Sequence, residues 1–409
     1  MTSFMNGNIL LIKMDSRLDT SNAAETEKFI MNEISGNSPT NVILDADKLT
    51  YISSSGLRVL LNIKKSVKNT QMINVCTDVY EILDMTGFTE ILDVKKAFRK
   101  VSVDGCKMIG KGGFGETYQL DDDHIVKVYN AGVPYEEIVR EKENARSAFV
   151  SGVPTAIPFD TVRVGDRFGN VYELINSRPL AEVICGDPFN IDKYAQQTAE
   201  LMKTLSTTHA QPGKFRRFVD IVMDNIDIID RYIPDEPLFT PEEKALVKRL
   251  FDSVPERDTL VHGDFHTHNI FSQDGELLLI DMADTSTGHP LFELGNMYLA
   301  FILIAQRSPE RTFPLTGLYT DKAAYFCKKV WEYFLPDFTE NDMELLRGVC
   351  EVLGHVRMMI VAVTSAALNA LTPELRRKGL FGLKGVLKNI YFDRAEKVLE
   401  DVKYITGKF

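Results

Sequence analysis

The sequence lacks a basic excess, and it lacks the short spacings that mark common zinc sites. Its 409 residues carry a formal net charge of −11, whereas nucleic-acid binders concentrate basic side chains to contact phosphates. The five cysteines are scattered, and neither CxxC nor HExxH occurs. We therefore expect no nucleic-acid partner, and we expect reduced thiols in a reducing compartment.

Long apolar runs are also missing. The most apolar stretches, 297–305 and 358–371, are shorter than the ~20 residues that span a bilayer, so both are predicted to be buried helices. Residues 1–15 show no charged region ahead of an apolar segment, which argues against a signal peptide. These features predict a cytoplasmic protein without a membrane partner, and the length allows two or three domains.

A polar loop within residues 260–284 concentrates the groups that phosphoryl transfer requires. Asp264 and Asn269 lie in a histidine-rich loop, and a following apolar run ends at Asp281. Transfer from ATP needs one carboxylate to accept the alcohol's proton, and an amide oxygen with a second carboxylate to hold Mg²⁺ against the phosphates. Two other interpretations stay open from these residues: a surface turn with helix-capping side chains, and a zinc loop built on the histidines.

The pattern His-Gly-Asp-x-His-x-x-Asn at 262–269, followed by Ile-Asp, resembles the catalytic signature of aminoglycoside phosphotransferases and of choline or homoserine kinase-like enzymes. The resemblance implies the protein kinase-like fold. It also implies that Asp264 is the catalytic base, and that Asn269 and Asp281 are ligands of the metal.

The residues after Asp281 narrow the kind of acceptor. Met282-Ala283 stands where a protein kinase has Phe-Gly, and Glu293 follows within a segment that resembles the family's brace of the catalytic loop. This leaves no room for the long activation segment with which a protein kinase docks a peptide. A small acceptor with a hydroxyl or amine group is therefore predicted.

Three upstream features occur in the order expected of such a kinase. A glycine-rich turn spans 108–118, and glycine lets the backbone close over phosphates where a Cβ would clash. The resemblance assigns Lys127 to the nucleotide phosphates, and it points to Glu141 as the ion-pair partner of Lys127, with Glu143 and Glu137 as alternatives. The glycines expected to bind the cofactor are Gly110, Gly112, Gly113 and Gly115.

The stretch 171–175 resembles the last strand of the N-terminal lobe and the hinge. The backbone groups of Glu173 and Ile175 are therefore predicted to contact the adenine edge. Candidates to sandwich the adenine ring, each equally compatible with an ordinary core position, are Ile109, Val126 and Leu278.

Helical spacing dominates the rest of the chain. Residues 192–209 and 241–254 repeat apolar side chains at helical spacing, and Thr240 followed by Pro241 is typical of a helix start. Residues 297–409 are mostly helical by periodicity and would form one wall of the acceptor site.

The first hundred residues alternate strand-like and helix-like segments, which predicts a small α/β domain. They resemble the STAS domain of bacterial anti-sigma factor antagonists. The elements that carry this resemblance are Leu18-Asp19, the stretch 45–57 with Ser53-Ser54-Ser55-Gly56, and the stretch 82–88.

Ser54 is a phosphorylation candidate through this resemblance, because the family's equivalent serine is phosphorylated by a partner kinase. A phosphate there would lie at a helix N-terminus, where free N–H groups accept negative charge. Ser53 stands where the family has aspartate, and serines 53–55 also suit plain helix capping. STAS domains serve as docking or ligand-sensing modules as well.

The predicted architecture is an α/β STAS domain at 1–99, followed by an α+β, two-lobed protein kinase-like fold at 104–409. Its N-lobe would be 104–176, and its helical C-lobe 177–409. The predicted function is ATP- and Mg²⁺-dependent transfer to a hydroxyl of a small molecule, with the STAS domain as a regulatory module and possible docking site for a protein partner. The alternatives are a regulator whose kinase module phosphorylates a STAS serine, and one that only senses nucleotide.

Overall fold

Met1–Lys100 is the first of two compact units in the computed structural model of this chain. It is a layered α/β domain, and apolar and polar residues alternate along its main strands. The second unit is Val101–Phe409. The residues that the structure describes are 1–229, 233, 237–364 and 372–409.

The first unit is built on a sheet in which β2, β4, β6 and β7 run parallel and β1 is antiparallel at one edge. The strands of this unit are β1 Thr2–Asn6, β2 Ile9–Lys13, β3 Arg17–Leu18, β4 Asn41–Asp45, β5 Tyr51–Ile52, β6 Asn69–Val75, β7 Asp93–Lys96 and β8 Arg99–Lys100, and the sheet consists of β1, β2, β4, β6 and β7. Its helices are α1 Ala23–Asn37, α2 Ser54–Ser66, α3 Thr77–Met85 and α4 Phe88–Ile91. Alternate strand residues such as Leu10, Ile12, Val42 and Leu44 are fully buried and form the core.

The first turn of α2 explains its serine and glycine. The Ser53 hydroxyl accepts a hydrogen bond from the Gly56 backbone N–H at 3.4 Å, so Ser53 caps the helix. A Cβ on Gly56 would lie 2.5 Å from the carbonyl oxygen of Leu18, so the close approach of the two segments requires glycine. Ser54 is the first helical residue and is exposed.

The second unit begins with an antiparallel sheet in which the strands lie in the order β12-β13-β11-β10-β9. Its strands are β9 Lys107–Lys111, β10 Gly115–Gln119, β11 His124–Tyr129, β12 Pro158–Val164, β13 Arg167–Glu173, β14 Arg178–Pro179, β15 Leu260–Val261, β16 Ile270–Gln273, β17 Glu276–Leu279 and β18 Ser286–Thr287. Helix α5, Tyr135–Val150, follows β11 and packs against this sheet.

Helices make up most of the remainder. They are α6 Leu180–Gly186, α7 Ile191–Thr207, α8 Phe218–Ile229, α9 Pro241–Asp252, α10 Leu291–Tyr298, α11 Ile304–Arg307, α12 Pro309–Thr316, α13 Thr320–Phe334, α14 Glu340–Thr364, α15 Pro373–Ile390 and α16 Ala395–Thr406. The predicted start of α9 is confirmed: the Thr240 hydroxyl accepts from the Glu243 N–H, and the Glu243 carboxylate accepts from the Thr240 N–H.

The structure describes all of the apolar stretch 297–305 and only part of the stretch 358–371. Residues 297–305 lie in buried helix, through the end of α10, a π-helical turn at Leu299–Leu303 and the start of α11. Helix α14 carries the second stretch to Thr364, and residues 365–371 lie outside the described residues. Within the described ranges, we find no helix that combines the length and apolarity needed to cross a membrane.

Strands β16 and β17 form a hairpin that ends just before Asp281. Their two-residue turn is Asp274-Gly275, with φ of 52° and 90°, which suits the type I′ turn that joins antiparallel strands. The hairpin therefore starts at the end of the histidine-rich loop and delivers Asp281 beyond its second strand.

Candidate active site

The glycine-rich turn joins β9 to β10 at the mouth of a cleft. A Cβ on Gly115 would lie 2.2 Å from the Val128 carbonyl oxygen, so this glycine is required by the approach of β10 to β11. A Cβ on Gly112 would meet open space, and the Gly112 backbone N–H donates to the Gly115 carbonyl oxygen at 2.9 Å. The Asn130 amide donates to the Gly113 carbonyl at 2.9 Å and anchors the turn.

The Lys127 ammonium group lies between two carboxylates. Its Nζ is 2.7 Å from Glu141 Oε1 on α5 and 3.1 Å from Asp281 Oδ1. Burial disfavours the charged form of Lys127, but Asp281 and Glu141 outweigh burial and raise its pKa. Burial also raises the pKa of Glu141. Of the three glutamates considered, the structure thus brings Glu141 to Lys127, and not Glu143 or Glu137.

The cleft beneath the glycine turn has a volume of about 280 Å³. Its lining residues are Ile109, Gly110, Gly112, Gly113, Phe114, Gly115, Thr117, Ile125, Lys127, Glu141, Ala145, Thr155, Ala156, Tyr172, Glu173, Leu174, Ile175, Phe271, Ile280, Asp281 and Met282. The predicted nucleotide residues therefore converge on one cavity, with apolar walls and a charged end.

Of the three residues expected to sandwich a ring, Ile109 lines the cleft, and Val126 does not. Val126 is fully buried with Val128 in the sheet core, because successive side chains of a strand point to opposite faces and Lys127 points into the cleft. Ile125, two residues before Lys127, takes the place expected of Val126. Leu278 is half-buried and lies outside the lining.

Glu173 and Ile175, the predicted hinge residues, both border the cleft. The Glu173 backbone N–H donates to the Ile157 carbonyl at 2.9 Å, and its carboxylate accepts from the Ile157 N–H at 3.3 Å. These bonds hold the end of β13 in place, and the Glu173 N–H is therefore already used within the protein.

Asp264 and Asn269 meet in the histidine-rich loop. The Asn269 amide nitrogen donates to both the carbonyl oxygen and Oδ2 of Asp264, each at 3.0 Å. The Asp264 side chain is 53% exposed, and His266 Nε2 lies 3.4 Å from its Oδ2. Since the amide nitrogen of Asn269 is bound to Asp264, its oxygen Oδ1 points away from that carboxylate, as assigned from these bonds.

The charges around Asp264 keep it ionised. The surrounding protein atoms disfavour its charged form, but His266, followed by His262 and Arg357, outweighs them and lowers the pKa of Asp264. Burial lowers the pKa of His266, but Asp264 and then Asp281 outweigh burial and raise it. His266 therefore lies within electrostatic reach of both carboxylates, and both favour its protonated form.

Glu293 and Arg357 brace this loop. Glu293 is buried, and its Oε2 accepts from the backbone N–H groups of His262 at 2.5 Å and Gly263 at 3.3 Å. Arg357, on α14, donates to Asp284 Oδ2 at 2.5 Å and to the Gly263 carbonyl at 3.4 Å. Gly263 has φ of 85°, and a Cβ there would lie 2.7 Å from the Asp284 carbonyl oxygen, so the loop requires glycine.

The sequence analysis identified neither Arg357 nor Asn144 as a residue of this site. Asn144 is buried on α5, one turn after Glu141, and its Nδ2 donates to the turn after Asp281. The accepting carbonyl oxygens are those of Met282 at 3.2 Å, Ala283 at 3.2 Å and Thr285 at 3.3 Å. The i, i+3 spacing from Glu141 is the sequence signal that indicates a shared helix face.

Two oxygens are suited to a hard cation. The Asp281 carboxylate is 38% exposed, and the Asn269 amide oxygen is the second oxygen predicted for this role. Within the part of the chain that the structure describes, no group of three or more His, Cys, Asp or Glu side chains is placed to hold a metal. A donor set of one carboxylate and one amide suits Mg²⁺, which commonly completes its coordination with phosphate oxygens and water.

The chain matches two family models. A STAS domain model matches residues 5–102, and a model of the phosphotransferase enzyme family matches residues 106–317. These matches confirm both resemblances and the predicted order of an α/β STAS domain and a kinase-like fold.

Relatives with curated names and solved structures are also similar to this chain. A methylthioribose kinase of Geobacillus sp. (strain WCH70) is 24% identical over 308 residues, which are 64% of this chain and 74% of that protein. A methylthioribose kinase of Bacillus cereus (strain G9842) is 25% identical over 280 residues, 58% of this chain and 68% of that protein. A choline/ethanolamine kinase family protein from Mesorhizobium loti is 12% identical, with a TM-score of 0.48 over 73% of this chain and 92% of its own.

The family assignment depends on the extent of the second model, which spans more than half of the 409 residues and includes the glycine turn, Lys127, Glu141, Asp264, Asn269 and Asp281. The chain therefore belongs to the phosphotransferase enzyme family and carries a STAS domain before its phosphotransferase domain.

Proposed function

We propose that this protein transfers the γ-phosphoryl group of ATP, with Mg²⁺, to a hydroxyl group of a small molecule. The observation that carries the proposal is the half-exposed Asp264 carboxylate, kept ionised by His266 and hydrogen-bonded to Asn269. A hydroxyl acceptor requires an accessible carboxylate that can take its proton, and a metal-bound phosphate requires an oxygen ligand for the metal, here the amide oxygen of Asn269.

In the proposed reaction, Asp264 orients the acceptor hydroxyl and takes its proton as the new O–P bond forms and the bond to the ADP oxygen breaks. Asn269 and Asp281 would hold Mg²⁺, which supplies charge neutralisation at the phosphates when bound. Lys127 contributes a second positive charge from its position between Glu141 and Asp281.

The 280 Å³ cleft supports nucleotide binding next to these groups. Gly112 lines it in open space, and Ile109 and Ile175 supply apolar walls. Fixing the nucleotide and the acceptor in one geometry accounts for much of the rate that such an enzyme achieves.

The relatives support a sugar-like acceptor. Two methylthioribose kinases resemble this chain over more than half of its length, and their name gives methylthioribose as the acceptor. The exposed Asp264 suits any acceptor that presents a hydroxyl group at the end of the catalytic loop.

The test is ADP release from ATP and Mg²⁺ with a panel of methylthioribose and other pentoses, aminoglycosides, choline-like amines and amino alcohols. We expect ADP release above background with one acceptor class, and its absence with Asp264→Asn. ATP binding without acceptor-dependent ADP from any class would contradict the proposal. The same reaction run without Mg²⁺ tests the metal requirement.

A pH profile of kcat/KM tests the role of His266. We expect His266→Gln to move the acidic limb to higher pH, because the wild-type imidazolium lowers the pKa of Asp264 and glutamine carries no charge. The wild-type base then stays ionised at a pH where the variant's base is already protonated. His268→Gln is the matched control, since His268 Nδ1 lies 2.8 Å from the Leu315 carbonyl oxygen instead. An acidic limb that stays in place in His266→Gln contradicts this role.

A second candidate function is phosphorylation within the STAS domain, favoured by the exposure of Ser54 at the first turn of α2. Incubation with ATP and Mg²⁺, followed by mass measurement of the 1–100 segment, tests it. Phosphate on Ser54 that is absent from Asp264→Asn supports this function, and an unmodified mass contradicts it.

A further inference from the structure

The backbone at Asp281 is held in an unfavourable conformation. Its φ of 59° and ψ of 65° lie in the left-handed region, which residues other than glycine rarely adopt, although aspartate and asparagine do so more often than most. Residues in such conformations persist when surrounding contacts determine them, and they concentrate at functional sites. The contacts that determine this one should therefore be identifiable.

Asn144 supplies those contacts on the side that follows Asp281. Its amide nitrogen donates to the carbonyl oxygens of Met282, Ala283 and Thr285, at 3.2, 3.2 and 3.3 Å. Three carbonyl groups that converge on one amide fix the direction of the turn directly after Asp281. Asn144 is 5% exposed, so water has little access to these bonds.

The opposite side of Asp281 is fixed from the same helix. Glu141, one turn before Asn144 on α5, holds Lys127 at 2.7 Å, and Lys127 holds the Asp281 carboxylate at 3.1 Å. Side chains three apart on a helix lie on one face, so α5 acts on the Asp281 carboxylate through Lys127 and contacts the following backbone directly through Asn144.

We propose that Asn144 is a positioning residue that orients the Asp281 carboxylate toward the metal of the nucleotide complex. This rests on the proposed function, because it takes Asp281 as a metal ligand. Asn144 touches neither nucleotide nor acceptor in this role; it acts through the backbone of residues 282–285. Without its N–H groups, the turn can rotate, and the carboxylate leaves the direction that the metal requires.

The first test is hydrogen exchange of the peptide that contains residues 281–286 in the full-length protein without nucleotide. We expect Asn144→Ala to raise its exchange rate by at least about tenfold, because local order is lost. Thr406→Ala is the matched control: Thr406 is buried on α16, and its hydroxyl bonds the Val402 carbonyl at 2.8 Å within that helix. This control should leave the 281–286 peptide unchanged.

The second test uses Mn²⁺ as the probe for the divalent cation. Electron paramagnetic resonance measures its binding to the ADP-saturated protein. We expect Asn144→Ala to weaken Mn²⁺ binding about tenfold and to leave the affinity for metal-free ADP within about twofold. Asn144→Ser, which retains one donor, should fall between wild type and alanine, and it replaces the alanine variant if that protein does not fold. Asp281→Asn provides the reference for a lost ligand.

The outcomes separate this proposal from the proposed function. Faster exchange together with weaker Mn²⁺ binding in the Asn144 variants supports the positioning role. Unchanged exchange, or faster exchange with wild-type Mn²⁺ affinity, overturns it. A wild-type protein that binds ADP but no Mn²⁺ overturns the metal role of Asp281 itself, and that failure appears before any variant is compared.

Discussion

Asp264→Asn is expected to lower kcat by about 10²–10⁴-fold, while the affinity for ADP stays within about threefold of wild type. Asparagine keeps an oxygen that can accept the Asn269 amide, so the loop geometry survives the change. It cannot take the proton of the acceptor hydroxyl, so the loss falls on the chemical step. The measurement is steady-state ADP release with the best acceptor, combined with calorimetric titration of ADP.

The matched control for this variant is Asp258→Asn, an exposed aspartate that pairs with His209 at 2.8 Å. It should keep wild-type kcat. Turnover that persists in Asp264→Asn would show that another group accepts the proton. Loss of ADP binding or of folding would show that Asp264 acts through the structure of the loop.

Lys127→Met is expected to abolish measurable turnover and to lower the free energy of unfolding by about 3 kcal/mol. The variant leaves the buried Glu141 carboxylate beside Asp281 without the ammonium that separates them. Both the proposed phosphate contact and the charge balance of the cleft are lost. Denaturant unfolding measures stability, and ADP release measures activity.

The stability and activity effects of Lys127 can be separated by a second change. Lys127→Met combined with Glu141→Gln removes the uncompensated buried charge, so we expect it to regain most of the lost stability and none of the activity. Lys127→Arg keeps the charge and serves as the conservative control. A double variant as unstable as Lys127→Met would show that the ion pair is not the source of the stability loss.

Local sequence patterns predicted the parts of the fold that local chemistry determines. The capping box at Thr240 is contained within four residues, and the start of α9 follows from it. The order of the glycine turn, Lys127 and the histidine-rich loop indicated the kinase-like fold, which the family models confirm. The roles assigned to the individual site residues stay predictions.

The sequence left Val126 open as a cleft residue or a core residue, and the structure shows the core position, which strand alternation could have indicated. Once Lys127 is assigned to the cleft, strand alternation directs Val126 to the opposite face and Ile125 to the same face. Applying the alternation to β11 would have given the observed arrangement.

Arg357 and Asn144 could not be found in this way. Arg357 meets Asp284 across 73 positions of sequence, and Asn144 meets Met282 across 138 positions. Such pairs depend on how helices pack on the catalytic loop, and no short spacing encodes that packing. The choice of Glu141 over its neighbours likewise depends on the rotation of α5 about its axis.

The left-handed backbone of Asp281 has a consequence for the evolution of this chain. Asparagine adopts the same conformation readily, and a single base change converts an aspartate codon to an asparagine codon. The substitution also removes one of two carboxylates that face a single ammonium group. A duplicated gene released from selection for catalysis would therefore accept this change at little expense to the fold, and we expect inactive descendants to diverge first at this position.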